Sequence, residues 1–243
     1  QSALHLAALA QEAGLPDGVI NVVTGYGNEV GRALCEHPHV AKISFTGSPE
    51  AGREIQRTAG VLFKRVALEL GGKSPQIVFD DASFEDALRG CALGLFANQG
   101  QICAAGSRIL VHRSLADRFA AALADAARAV KVGDPRQPDI QMGPVAKKAQ
   151  FDRVNRYIQL GIDQGASLLA GGVSNPGHGW FVQPTIFADA RNDMAIAQDE
   201  IFGPVGTVIT FDSEDEAVAL ANDSTYGLAA TVWTADLVRA HRV

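Results

Sequence analysis

Residues 42–69, KISFTGSPEAGREIQRTAGVLFKRVALE, decide the fold of this chain. Two short β-rich runs, 42–45 and 64–68, predict β-strands, and the stretch between them, 49–59, predicts a helix. Pro49 lies in the first turn of that helix, where its missing N–H removes no hydrogen bond. Two strands joined by a helix favour a parallel βαβ unit, so the chain is expected to be of the α/β class.

The same alternation of helices and short β-rich runs extends in both directions from this unit. Upstream, it predicts a helix, a strand and a second helix at 3–13, 18–23 and 28–36. Downstream, it predicts strands at 76–79, 108–112, 180–187, 205–211 and 229–233, helices that begin near Phe84, Ser114 and Ser213 and one through 151–158, and a Gly-rich turn at 170–179. This order predicts parallel-sheet αβα layers, with a domain boundary at Gly71-Gly72.

Serines at the starts of these helices predict where the helices are capped. Ser83 with Asp86, and Ser213 with Glu216, have the spacing of a capping box. Ser114 is expected to cap the helix that follows it.

Composition and charge exclude several classes of protein. The chain has 243 residues, of which 47% are hydrophobic and 20% charged, as is typical of a globular protein with a buried core. The net charge of −6 argues against nucleic-acid binding, because phosphate contacts need a basic excess. No run reaches the roughly 18 apolar residues of a membrane span, and no signal-peptide pattern opens the chain. Because the first residue is not Met, we expect a piece of a longer protein.

Cysteine and histidine usage indicates a reducing environment and no metal. Cys35, Cys91 and Cys103 are an odd number without CxxC spacing, which favours a cytoplasmic protein over a disulfide framework. The six histidines lack metal-ligand spacing, and no metal site is expected.

Two glycine-containing turns are candidates for phosphate binding. GYGNEVG at 25–31 follows a predicted strand, but it is one residue longer than a dinucleotide fingerprint and also fits a tight turn with close helix packing. FTGSPEAG at 45–52 ends a strand and opens a helix, whose free N–H groups and dipole attract anions. Ser48 in this second turn either caps the helix or contacts a phosphate.

Two residues stand out as candidates for chemistry. Glu69 ends an apolar strand beside Gly71-Gly72, where α/β sheets place active sites; the alternative is an exposed Glu69–Lys73 ion pair. Cys103 lies among small and polar residues in NQGQICAAGSR at 98–108, the accessible context that a nucleophile needs. By contrast, Cys91 lies within a predicted helix and is expected to be inert.

Six segments, in this order, resemble the NAD(P)-dependent aldehyde dehydrogenase superfamily over the whole chain. They are FTGSPEAG at 45–52, LELGGKSP at 68–75, NQGQICAAGSR at 98–108, QPTIF at 183–187, EIFGP at 200–204 and NDSTYGLAA at 222–230. Glu69 precedes Cys103 by 34 residues, and Glu200 follows Cys103 by 97.

The resemblance implies a role for each matching residue. Cys103 would be the nucleophile that attacks an aldehyde, and Glu69 the general base that hydrolyses the resulting thioester. The implied contacts with NAD or NADP are Gly27 and Gly31 along the adenine, Gly47 and Ser48 at the pyrophosphate, Leu70 at the nicotinamide carboxamide, Glu200 at the nicotinamide ribose and Phe202 beside the nicotinamide.

The resemblance also implies an organisation. Residues 1–71 would form the C-terminal part of a Rossmann-like NAD(P)-binding domain and residues 72–243 most of a catalytic domain. The family's oxyanion asparagine would lie upstream of Gln1, and its oligomerisation segment would lie beyond Val243. The intact protein is expected to be a homodimer or homotetramer. The alternatives are a truncated, catalytically silent fragment and a thiol esterase or acyl-transferase.

Overall fold

The computed structural model describes residues 1–174, 177 and 179–243, so the predicted Gly-rich turn at 170–179 lies partly outside the described residues. The chain divides into two compact units, Gln1–Leu70 and Gly71–Val243. No helix in the described part of the chain is long and apolar enough to cross a membrane.

The first unit is built around one parallel pair of strands. It contains α1 (Ser2–Glu12), α2 (Arg32–Glu36), β1 (Lys42–Thr46), α3 (Pro49–Val61) and β2 (Arg65–Glu69). The two strands pair in parallel from Lys42–Arg65 to Thr46–Glu69, with α3 as the crossover. The predicted βαβ unit is therefore confirmed.

Two predictions upstream of this pair change in the structure. The predicted strand at 18–23 is wrong: the segment is irregular, and no described strand pairs with it. An apolar run forms a strand only where a neighbour accepts its backbone hydrogen bonds, and here Val19 and Val23 are exposed instead. The predicted helix at 28–36 forms, but it opens with one π-helical turn, Gly27–Gly31, before α2.

The second unit is a mixed sheet covered by helices. Its elements are β3 (Pro75–Val78), α4 (Phe84–Phe96), β4 (Arg108–His112), α5 (Ala116–Ala129), α6 (Lys148–Asp163), β5 (Ser167–Ala170), β6 (Thr185–Ala188), α7 (Ala195–Gln198), β7 (Val205–Phe211), α8 (Glu214–Asn222), β8 (Thr231–Trp233) and α9 (Leu237–Arg242). The strand order is β5-β6-β7-β4-β3-β8, and every pair is parallel except β5-β6. The α/β class is confirmed.

The two faces of this sheet are packed by different helices. Successive side chains of a strand point to opposite faces. Ile109 and Val111 of β4 accordingly join a cluster with α4 and α5, whereas Leu110 joins a cluster with α6, α7 and α8. The central strands are therefore buried on both sides, which fixes the loops at their ends.

The predicted caps are only partly correct. The Ser213 hydroxyl accepts the N–H of Glu216 at 3.2 Å, as expected. Ser83 instead donates its hydroxyl to the Asp86 carboxylate at 2.6 Å and makes no cap. Ser114 lies 2.8 Å from Nδ1 of His112, so α5 begins two residues later without a side-chain cap.

Candidate active site

The loop that carries Cys103 leaves α4 through a strained turn. Asn98, Gln99 and Gly100 all have positive φ angles, of 49°, 59° and 67°. A Cβ at Gly100 would lie 2.2 Å from the carbonyl oxygen of Gly203, so only glycine fits there. Non-glycine residues with positive φ often occur at functional sites, where surrounding contacts maintain them.

Side-chain hydrogen bonds hold this turn in place. Asn98 Nδ2 donates to the carbonyl of Gln101 at 3.1 Å, and Gln101 Oε1 accepts the N–H of Ala146 at 2.9 Å. The Cys103 backbone N–H donates no hydrogen bond to any described residue and stays available to a ligand.

The three cysteines differ in accessibility. Cys35 and Cys91 are buried, whereas Cys103 is partly exposed. Burial raises the pKa of the Cys91 thiol to about 12, which keeps it protonated and unreactive. Of the three cysteines, Cys103, the one predicted to be a nucleophile, is the accessible thiol.

Gly71 and Gly72 allow Glu200 and the Cys103 loop to approach the same backbone. Glu200 Oε1 accepts the N–H of Gly72 at 3.2 Å. A Cβ at Gly71 would lie 2.2 Å from Glu200 Oε2, and a Cβ at Gly72 would lie 2.5 Å from the Cys103 carbonyl oxygen. The two glycines thus allow Glu200 and the backbone of Cys103, both predicted from the sequence, to lie close together.

Glu200 is half-buried, and its surroundings include groups that raise its pKa and groups that lower it. Burial raises the pKa of Glu200 above its ordinary value, while the Gly72 N–H and the charges of Arg153 and Lys73 oppose the rise. Arg153 also donates to the Glu200 backbone carbonyl at 2.5 Å.

Phe202 is exposed and has a φ of 58°. Gln150 Nε2 donates to the carbonyls of Ile201 and Phe202 at 2.9 and 2.7 Å and thereby fixes this conformation. Phe202, Glu200, Gly72 and Ile102 line one small cavity of about 10 Å³ beside the Cys103 loop. In the second unit, the predicted residues Glu200 and Phe202 therefore line one cavity, next to the loop that carries Cys103.

In the first unit, the start of α3 keeps free donors. The Ser48 hydroxyl accepts the N–H of Ala51 at 3.2 Å, so Ser48 is a helix cap. Gly47 donates its N–H to the Glu69 carbonyl at 3.0 Å, and Pro49 has none. The N–H groups of Ser48 and Glu50 bond to no described residue, and the Ser48 hydroxyl proton is still available. This terminus can therefore bind an anion through Ser48 and Glu50 rather than through the N–H of Gly47.

A cleft of about 530 Å³ lies beside this helix. Its walls come from the π-helical turn, α2, β1 and α3, and they include Gly27, Gly31, Ile43, Phe45 and Ile55. A Cβ at Gly27 or Gly31 would point into open space. The cleft is mostly apolar and wide enough for a flat aromatic group.

Glu69 and Leu70 end the first unit. Glu69 is exposed at the end of β2, and the Leu70 side chain contacts Gly52 of α3, where a Cβ would come within 2.7 Å. Lys73 is buried, and its ammonium has no hydrogen-bond partner among the described residues, so the alternative Glu69–Lys73 pair is wrong.

Several site residues were missed from the sequence. Three of them, Gln101, Gln150 and Arg153, position the loops by hydrogen-bonding to backbone groups that are distant in sequence, and no local sequence pattern predicts such contacts.

Within the described residues, no cluster of His, Cys, Asp and Glu could hold a metal ion.

Comparisons with known proteins assign the chain that carries this site to a family. The whole chain, residues 1–243, matches the sequence profile of the Aldehyde dehydrogenase family. A betaine aldehyde dehydrogenase of Brucella anthropi is 50% identical over 246 residues, which cover 100% of this chain and 50% of that protein.

Solved structures agree with this match. The NAD+ complex of an aldehyde dehydrogenase from Bacillus cereus has a TM-score of 0.97 and 45% identity, over 99% of this chain and 49% of that one. An indole-3-acetaldehyde dehydrogenase complexed with NAD+ has a TM-score of 0.96 and 47% identity, with the same coverage. The chain spans about half the length of the relatives that it matches, and it belongs to the aldehyde dehydrogenase family.

Proposed function

We propose that the protein containing this chain oxidises an aldehyde to a carboxylic acid with NAD+. The observation that carries this proposal is the environment of Cys103. This accessible thiol follows a strained turn, its backbone N–H bonds to no described residue, and its carbonyl lies against the glycine that Glu200 binds. In this proposal, the first unit is the C-terminal part of the NAD-binding domain, and the second is the catalytic domain.

The residues of each unit fit a dinucleotide. The cleft beside Gly27 and Gly31 suits an adenine, and the free N–H groups of Ser48 and Glu50 suit a pyrophosphate. Glu200 Oε2, which bonds to no described residue, is an acceptor for ribose hydroxyls. Leu70 would meet the nicotinamide carboxamide through its backbone, and Phe202 would lie beside the ring. The NAD+ complexes of the related structures favour NAD+ over NADP+.

Cys103 begins the reaction as a nucleophile. Its thiolate adds to the aldehyde carbon, forming a C–S bond and placing negative charge on the former carbonyl oxygen. The free N–H of Cys103 is a donor for that oxygen, and a donor of this type contributes about 3–4 kcal/mol to transition-state stabilisation. Bound NAD+ would supply an acceptor for the hydride of this carbon, and loss of that hydride would leave an acyl thioester on Cys103.

Glu69 completes the turnover. Its carboxylate lies exposed at the end of β2, where it meets water. It removes a proton from a water molecule that attacks the thioester carbon, the C–S bond breaks, and the acid leaves while the Cys103 thiolate is restored.

The aldehyde is not determined by the family relation. A betaine aldehyde dehydrogenase and an indole-3-acetaldehyde dehydrogenase match this chain at 50% and 47% identity, although their names imply very different substrates. We therefore propose a test panel of betaine aldehyde, indole-3-acetaldehyde and a short aliphatic aldehyde.

NADH appearance at 340 nm tests the proposal on the full-length protein that carries this sequence. We expect turnover that requires both an aldehyde and NAD+, is abolished in Cys103→Ala and is nearly unchanged in Cys91→Ala. Equal losses in the two variants would remove the assignment of the nucleophile. Ester hydrolysis without any NAD+-dependent aldehyde oxidation would instead favour a thiol esterase.

A further inference from the structure

A second cavity, of about 300 Å³, lies in the second unit, and Cys103 is not among the residues that line it. It is bounded by the start of β3, the end of α8 and residues 226–230, which lead into β8. The proposed reaction uses none of the polar groups in its wall.

Three buried donors in this wall lack acceptors. Lys73, Ser74 and Arg108 line the cavity, and Lys73 Nζ, Ser74 Oγ and Arg108 Nε have no hydrogen-bond partner among the described residues. Each of these residues is at most 4% exposed. Buried polar groups are almost always paired, because an unpaired one has lost its water without compensation.

The Arg108 guanidinium is held rigidly, and one of its three nitrogens has no acceptor among the described residues. Its Nη1 donates to Asn192 Oδ1 at 3.0 Å and to the Leu220 carbonyl at 2.7 Å, and its Nη2 donates to the Ala221 carbonyl at 2.7 Å. Nε remains as a fixed, charged donor beside the cavity.

The charges around Lys73 also favour a bound anion. Burial, and then the nearby charge of Arg108, lower the pKa of Lys73 to about 7. Asp199 and Glu200 act in the opposite direction and Arg153 adds to the lowering, but neither carboxylate hydrogen-bonds to Lys73. An acceptor with negative charge between Lys73 and Arg108 would relieve both the repulsion and the missing hydrogen bonds.

We propose that this cavity binds a carboxylate group, which accepts hydrogen bonds from Lys73, Ser74 and Arg108. Three donors match the capacity of two carboxylate oxygens. Pro75, Ile77, Val218 and Val232 form apolar parts of the wall, which suit a short aliphatic chain behind the carboxylate.

This carboxylate has two sources with the same chemistry. One is a free aliphatic acid. The other is an Asp or Glu side chain of the same protein outside these 243 residues, since the matched relatives are about twice as long. The proposal does not depend on the proposed aldehyde oxidation, because it concerns binding alone.

Calorimetric titration of the 243-residue chain with sodium propionate tests the free source, with propionamide as the neutral control and sodium chloride to match ionic strength. We expect saturable binding of propionate but not of propionamide. Lys73→Met should weaken binding at least tenfold and Ser74→Ala about threefold. Lys131→Met, which changes an exposed lysine outside the cavity, should bind as the unmodified chain does. Ser74→Ala, which removes a single oxygen, provides the test if Lys73→Met does not fold.

A crystal structure of the full-length protein tests the second source. A carboxylate oxygen of the polypeptide within hydrogen-bond distance of Lys73 Nζ supports the proposal and assigns the source, whether or not the shorter chain binds propionate. Two results together would overturn the proposal. The first is that propionate does not bind, or binds to Lys73→Met and Ser74→Ala as tightly as to the unmodified chain. The second is that only water or backbone carbonyls contact Lys73 Nζ in that crystal structure.

Discussion

The Glu200 carboxylate accepts a hydrogen bond of 3.2 Å from the backbone N–H of Gly72. Gly72 also lies against the Cys103 carbonyl, because a Cβ at Gly72 would be 2.5 Å from the Cys103 carbonyl oxygen. A residue proposed to bind the cofactor is therefore linked, through one glycine, to the residue proposed to attack the aldehyde.

Replacing Glu200 by Gln should weaken NAD+ binding more than it slows chemistry. The amide side chain of the variant would keep an acceptor for Gly72 but lose the charge, and hydrogen bonds to charged groups contribute about 1.5–3 kcal/mol. We expect the KM for NAD+ to rise about tenfold or more, measured by initial rates at saturating aldehyde. Glu85→Gln, an exposed change on α4, is the control and should leave KM unchanged. An unchanged KM in Glu200→Gln would argue against the ribose contact.

Replacing Gly31 by Leu should fill the cleft of the first unit. Gly31 has ordinary helical angles and open space around its Cβ, so the backbone tolerates the change. We expect NAD+ affinity to fall at least about tenfold, or 1.4 kcal/mol, in a calorimetric titration. Gly60→Leu, also in a helix with open space around its Cβ but outside the cleft, is the matched control. Equal affinities in the two variants would place the adenine elsewhere.

Replacing Gly100 by Ala should destabilise the second unit. The new Cβ would need a left-handed conformation and would meet the Gly203 carbonyl oxygen at 2.2 Å. We expect a loss of about 2–4 kcal/mol in the free energy of unfolding, measured by urea titration. Gly143→Ala, whose Cβ makes only ordinary contacts at 3.5 Å or more, should change it little. If Gly100→Ala loses no more unfolding free energy than Gly143→Ala, the close approach of the Gly100 turn to the Gly203 carbonyl would be contradicted.

The buried Lys73 should make stability depend on pH. Its pKa is lowered from 10.5 to about 7 in the folded chain, so between these values the unfolded chain binds one more proton than the folded one. Stability therefore rises with pH in this window, by about 1.4 kcal/mol per unit relative to Lys73→Met. Urea unfolding from pH 7 to 9.5, without added carboxylate, measures the difference. Trp180 and Trp233 report on the second unit alone, since both tryptophans belong to it. A difference that stays flat over this range would show that Lys73 remains charged when folded.

The sequence predicted the strands that are bounded by strong local signals. The predicted strands at 108–112 and 205–211 match β4 and β7 to the residue, because both are rich in β-branched and other apolar residues and are buried in the centre of a sheet. The segment 18–23 has a similar run but lacks a described partner strand. β5 and α9 were not predicted, since β5 depends on antiparallel pairing with β6 at the sheet edge and α9 depends on a cap by Asp236.

The site was predicted less completely than the fold. The motifs identified Cys103, Glu200 and Phe202. Glu200 and Phe202 line one cavity, and the Cys103 carbonyl lies against Gly72, which lines the same cavity. The bonds that hold them, from Gln101 and Gln150, join segments about 45 and 50 residues apart. Such contacts follow from the tertiary fold and leave no local trace in the sequence.

Trapping the acyl thioester in Glu69→Gln tests the central claim most directly. The full-length variant is mixed with NAD+ and an aldehyde that the unmodified protein oxidises, quenched in acid and digested for mass spectrometry. We predict one equivalent of NADH per site in a fast burst, very slow turnover afterwards, and the acyl mass on the peptide that contains Cys103. A burst with the acyl group on any other residue, or NADH formation with Cys103 unmodified throughout, would contradict the account.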